Sequence, residues 1–164
     1  MALHVPDKVV IAGTVALREK FNKAFYAVTD QDGVELGTSY AVITWAEPTY
    51  SDSGFTEDSG EITVTEVLDN ARARIDFAVS CSNASSNTLL IRLEQDPDGV
   101  SGYTPIRGAG NFAAIAGTVD GFHYLELQAG MKFRVQARIV GSTGAVIAAL
   151  GTQIAIETKA EILE

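Results

Sequence analysis

Carboxylates are the side chains here best placed by type and spacing to do chemistry. Glu57-Asp58 and the pair Asp96 and Asp98 are close enough in sequence for acid–base work. A general acid needs a pKa raised by burial. Both pairs lie in Ser/Gly-rich stretches that read as wet loops, so solvated loop charge is expected of them. Asp30-Gln31-Asp32-Gly33-Val34-Glu35 opens like a calcium loop, with oxygens at alternate positions. The twelfth position, where a bidentate Glu closes such loops, is Ala41. Asp and Gly are also the residues of tight turns, and a turn is the expectation. The chain has two histidines, His4 and His123, and one cysteine, Cys81, which continues an apolar alternating row and reads as a buried, inert thiol. No serine lies in a Gly-x-Ser-x-Gly elbow. Arg107-Gly108-Ala109-Gly110 lacks the Lys-Ser/Thr that completes a phosphate loop. Asn83-Ala84-Ser85 is a glycosylation acceptor that matters only for a secreted eukaryotic chain. No catalytic residue, metal ligand or cofactor is expected.

Composition narrows the partners. The 164 residues (17.4 kDa) are 46% hydrophobic, with a net charge of −9 and a pI near 4.6. That size supports one domain with a real core. The acidity argues against nucleic acid, because phosphate binding needs a basic face. A single cysteine excludes an internal disulfide framework. No stretch reaches the roughly 18–20 apolar residues of a membrane span, and no membrane partner is expected. Before the apolar run 9–17, Asp7 and Lys8 cancel, and Arg18-Glu19-Lys20 follows in place of a cleavage site. The expectation is a soluble protein made in the cytoplasm, with Cys81 reduced.

Charge and periodicity set the organisation. Residues 1–29 hold four basic and two acidic side chains, residues 30–70 ten acids and no base, and residues 71–164 eight bases and nine acids. In the first segment Val10, Thr14, Leu17, Phe21, Ala24 and Val28 fit one seam of a helix. Against a helix stand the β-branched Val9-Val10-Ile11 and Gly13. Three readings therefore remain open: a helix, a strand over 8–16 with a helix over 17–28, or a hairpin of 24–29 with 34–36.

Beyond residue 36 the period is two. Ala73, Ile75, Phe77, Val79 and Cys81 alternate with Arg72, Arg74, Asp76, Ala78 and Ser80. Leu89, Ile91 and Leu93 form a second such row, and Met131, Phe133, Val135, Ala137 and Ile139 a third. Each predicts an antiparallel strand with one face on a core. Further strands are expected at 39–46, 61–65, 112–119, 125–127 and 146–157. Turns are expected at 68–70, 82–87, 95–102, 120–121, 129–130 and 141–144. The pattern predicts an all-β chain: an antiparallel β-sandwich or jelly roll over residues 39–164, preceded by an N-terminal segment, 1–38. Arg72, Arg74, Arg134 and Arg138 have the parity of one outer face. They read either as cross-strand partners of Asp76, Glu94 or Glu126, or as a surface for an acidic partner.

Two passages carry a family resemblance. Gly60-Glu61-Ile62-Thr63-Val64 leads into the long strand ending at Cys81, and Leu125-Glu126-Leu127-Gln128-Ala129-Gly130-Met131-Lys132-Phe133 joins two late strands. Over roughly residues 39–159 the chain resembles the jelly rolls of tumour necrosis factor and of complement globular heads, although Met131 stands where members often carry Asp. The resemblance implies a homotrimer, with Trp45, His123 and Tyr124 as candidates for its interface. An acidic, cysteine-poor jelly roll of this length also resembles auxiliary virion proteins of tailed phages, which decorate capsids or form head fibres. That implies a virion protein made in the host cytoplasm, a major capsid or other virion protein as partner, and binding without catalysis. The basic, apolar Leu17, Arg18, Lys20, Phe21, Lys23 and Phe25 would then dock it. Under a second reading, a glycan- or receptor-binding module, Tyr50, Phe55 and Tyr103 are the candidate contacts.

Overall fold

The computed structural model describes residues 10–11, 15–16, 24–51, 53–65, 71–82, 88–106, 117–141 and 144–159. Among them every regular element is a strand. In chain order these are β1 (Val10–Ile11), β2 (Val15–Ala16), β3 (Ala24–Val28), β4 (Ala41–Val42), β5 (Tyr50–Ser51), β6 (Phe55–Asp58), β7 (Glu61–Val64), β8 (Arg72–Ser82), β9 (Thr88–Asp96), β10 (Thr104–Pro105), β11 (Gly117–Glu126), β12 (Lys132–Val140) and β13 (Val146–Lys159). β1 and β2 pair with each other. The rest form two antiparallel sheets. One runs β10-β9-β12-β7-β6, with β4 also on β12; the other runs β11-β8-β13-β3-β5.

Alternation determines the layering. Ile75, Phe77 and Val79 of β8, Ile154 and Ile156 of β13, and Phe25 and Ala27 of β3 point from the second sheet into the core. Ile91 and Leu93 of β9 and Phe133, Val135 and Ile139 of β12 meet them from the first. The Phe25 and Phe55 rings pack edge to face with centroids 6.1 Å apart, joining β3 to β6. Cys81 ends the β8 row, and burial pushes its thiol up to about 11. Iodoacetamide at pH 8 should therefore leave Cys81 of the folded protein unmodified and alkylate it rapidly once denaturant is added; fast labelling of the native protein would contradict this burial.

The tight β6–β7 hairpin pairs Asp58 with Glu61 around Ser59-Gly60. Both residues have positive φ, 54° and 91°, the geometry of a two-residue hairpin loop. A Cβ on Gly60 would lie 2.5 Å from the Ile43 carbonyl oxygen, so this position requires glycine.

Several expectations change. The residues described between 10 and 28 are strand, while 17–23 lie outside the described residues. The hairpin of 24–29 with 34–36 is not formed: β3 pairs with β13 and β5, and residues 33–36 bond instead to Ala145 and Ile147. With Phe25 and Leu36 in the core, the sandwich takes in residues well before 39. Of the strand expected over 39–46, only β4 and a Thr29–Trp45 bridge form. The turn at 120–121 is absent. β11 runs straight through it, because Gly121 faces the Phe77 ring, which a Cβ there would approach to 2.9 Å. The glycine makes room for an aromatic ring instead of reversing the chain. Residues 66–70, 83–87 and 112–116 lie outside the described set.

Candidate binding surfaces

β11 is an edge strand of the second sheet, and its alternation sorts its side chains cleanly. Val119, Gly121, His123 and Leu125 face inward; Phe122, Tyr124 and Glu126 face outward. His123, opposite Ile75 of β8, has its pKa lowered by partial burial. His123 and Tyr124 were expected to share an interface, but period two places them on opposite faces of the strand. Phe122 shares the parity of Tyr124. Both rings are 54% exposed, and they pack edge to face with centroids 5.8 Å apart. Behind them Arg74 of β8 lies 5.0 Å from the Phe122 centroid and 5.8 Å from that of Tyr124. Its Nε and Nη2 donate to Asp76 Oδ1 at 3.0 and 2.6 Å. A groove of about 430 Å³ lined by Arg72, Arg74, Tyr124, Leu125 and Glu126 continues the patch. An aromatic pair held by a cation on a flat strand face can bury apolar area against a partner while its polar rim stays wet.

The outer face of the first sheet is polar and largely self-satisfied. Glu94 of β9 is 3% exposed between two guanidinium groups. Arg92 Nη2 lies 2.6 Å from one of its oxygens, and Arg134 Nε of β12 donates to the other at 2.7 Å. Arg92 also donates twice to Gln136 Oε1, at 2.9 and 2.7 Å. Tyr40 covers Arg92 and Tyr103 covers Arg134, each guanidinium 3.8 Å from its ring centroid. The Tyr103 hydroxyl donates to Glu61, and burial, reinforced by that carboxylate, drives its pKa up.

The remaining sequence candidates separate as follows. Phe25 is 1% exposed and Trp45 is 4% exposed, both in the core. Phe25 is therefore corrected from a docking residue to a core residue, and Trp45 likewise from an interface residue. Leu17, Arg18, Lys20, Phe21 and Lys23 lie outside the described residues. Of the three glycan candidates, Phe55 is buried and Tyr103 is engaged with Arg134 and Glu61, while Tyr50 has an exposed ring. The four arginines do not share a face: Arg72 and Arg74 are on β8, Arg134 and Arg138 on β12, in different sheets. The cross-strand reading holds for Arg134 with Glu94, and Arg74 pairs along its own strand with Asp76.

Asp96, expected as solvated loop charge, is instead 4% exposed at the end of β9, with its Oδ1 buried and unpartnered; the other singled-out carboxylates fill local roles. Glu57 accepts from the Gly60 amide at 2.8 Å. Asp98 accepts from the Val100 and Ser101 amides at 2.9 and 2.7 Å and from the Ser101 hydroxyl, which lowers its pKa, the opposite of what a general acid needs. Asp30 accepts from Thr44 and Asp32 from the Ala149 amide, so the calcium-like loop is a turn whose acids diverge. Among the described residues no three His, Cys, Asp or Glu side chains converge as a metal site. Sequence reasoning missed Phe122; the parity it shares with Tyr124, two positions on, was the signal that could have found it.

No family model matches the chain, and no curated protein sequence does. Solved structures do. Crystal structures of murine APRIL at pH 8.0, 8.5 and 5.0 superpose with TM-scores of 0.63, 0.61 and 0.59. Identities are 10%, 10% and 11%, and each alignment covers 85% of this chain and 100% of the other. The shared fold is a tumour-necrosis-factor-like jelly roll.

Proposed function

We propose that this chain is a self-associating binding protein without catalytic activity: a homotrimeric jelly roll that decorates the capsid or forms the head fibre of a tailed phage. The observation that carries self-association is the outward aromatic pair Phe122 and Tyr124, backed by Arg74, on the flat face of an edge strand. Rings of this kind gain most when buried against a partner of matching shape. Net charge keeps the remaining surface soluble and away from nucleic acid. The docking role falls to the basic, apolar residues 17–23, next to the strand that enters the sandwich at Ala24. A major capsid or other virion protein is their partner.

Light scattering on the purified protein tests the assembly. A mass three times 17.4 kDa is expected at micromolar concentration; a monomer at the same concentration would remove the basis of this reading. The docking segment is tested by deleting residues 1–23, a cut that spares β3, and asking whether the folded remainder still sediments with virions. Retained association of the shortened chain would exclude that segment.

A further inference from the structure

The polar outward side chains of β12 are Lys132, Arg134, Gln136 and Arg138. The first three have partners: Lys132 Nζ lies 3.7 Å from Glu61, Arg134 is bonded to Glu94, and Gln136 accepts from Arg92. Arg138 differs. Its Nε is buried without an acceptor, and among the described residues no carboxylate pairs with it. Its guanidinium lies 4.7 Å from the centroid of the same Tyr40 ring that Arg92 approaches at 3.8 Å.

Local charge is therefore uneven. Arg92 and Arg134 share one carboxylate, and Arg138 adds a further uncompensated cation beside the same tyrosine. A buried N–H without an acceptor is costly, and two guanidinium groups gathered at one ring repel each other unless an anion lies between them. Guanidinium geometry suits a two-oxygen acceptor.

We infer that Arg138, with Arg92 and Tyr40, forms an oxyanion-binding site, for a carboxylate or a phosphate, on the outer face of the first sheet. The site lies on the sheet opposite Phe122 and Tyr124, so it stands or falls independently of the trimer. The ligand accepts from the terminal nitrogens of the Arg138 and Arg92 guanidinium groups, and Tyr40 walls the site. Its natural source is either a free anion or an acidic side chain of a partner protein.

The test is titration of the full-length protein at low ionic strength, following arginine Nε–H resonances by NMR. Inorganic phosphate forms one arm; acetate and a short acetylated glutamate peptide form the others. Saturable movement of the Arg138 resonance with a dissociation constant of about 1 mM or tighter is expected in at least one arm. Tighter binding of the peptide than of acetate identifies a partner's side chain, and tighter binding of phosphate identifies a free anion. In Arg138→Gln the affinity should fall at least about tenfold, while Lys132→Gln, at the other end of β12 and paired with Glu61, leaves it unchanged. Arg138→Met serves as the folding control: it should melt no lower than the parent without anion and lose the thermal stabilisation that the best anion gives the parent. No saturation by about 50 mM in any arm, or equal binding by Arg138→Gln, would overturn the inference and leave water as the only acceptor.

Discussion

Glu94→Ala should lower the stability of this protein by about 3–4 kcal/mol, seen as a fall in Tm of roughly 6–12 °C. Glu94 is held between two opposed charges, one guanidinium on each oxygen. Removing it leaves both cations facing each other beneath Tyr40 and Tyr103. The lower end of the range for breaking a buried pair applies because Arg92 and Arg134 are themselves 27% and 26% exposed and can turn partly to water. Asp76→Ala is the contrast: Arg74 and Asp76 are each about two-fifths exposed, and losing that solvent-screened pair should leave the Tm nearly unchanged. A third variant separates charge from shape. Replacing the triad together, Arg92→Met with Glu94→Leu and Arg134→Met, should restore stability to within about 1 kcal/mol of the parent, because no ion is then left buried alone. Urea denaturation with a constant m-value measures all three. A Glu94→Ala variant as stable as Asp76→Ala would mean that the cluster gains nothing from being enclosed.

The contrast between these pairs also marks what the sequence could reveal. Parity was legible: the rows through Ile75, Phe133 and Leu89 are strands with the expected inward faces, because period-two burial is local and needs only the strand itself. Sheet membership was not. Arg74 and Arg134 have the same parity, yet they lie on opposite faces of the sandwich, since β8 and β12 pair with different neighbours. Long-range pairing also explains Phe25 and Trp45, whose surroundings read as a docking segment and an interface until β3 joined β13 and Thr29 bridged Trp45. Gly121 misled for a different reason. Its turn signal is intrinsic, whereas the Phe77 ring that requires glycine there comes from a strand more than forty residues earlier. The separation of His123 from Tyr124 was available from alternation alone. The convergence of Arg92 and Arg138 on Tyr40 was not, because it joins three separate elements.

Phe122→Asp or Tyr124→Asp should convert the proposed trimer to monomer while leaving the fold intact, weakening association by about a thousandfold or more. The magnitude follows from area and charge. Each ring presents about half its surface to water. Burying roughly 100 Å² of that per ring is worth about 2–3 kcal/mol. An aspartate in the same place forfeits that gain and must also be desolvated, so about 4 kcal/mol is a modest total, equivalent to about three decades in the dissociation constant. Monomer stability should change little, because both positions face outward on an edge strand and the inward row of Val119, Gly121 and Leu125 is untouched. Val140→Asp is the matched control. Val140 is comparably exposed but ends β12 in the first sheet, so its aspartate should leave the mass unchanged. Sedimentation velocity across a concentration series reads all of these, with thermal melts run in parallel. Trimers that persist in both β11 variants would move the contact to another face. Dissociation in the Val140 variant as well would point to a general charge effect, because an already acidic chain gains repulsion wherever an aspartate is added. Only the β11 pair falling apart, with Val140→Asp intact, places the contact on the rings themselves.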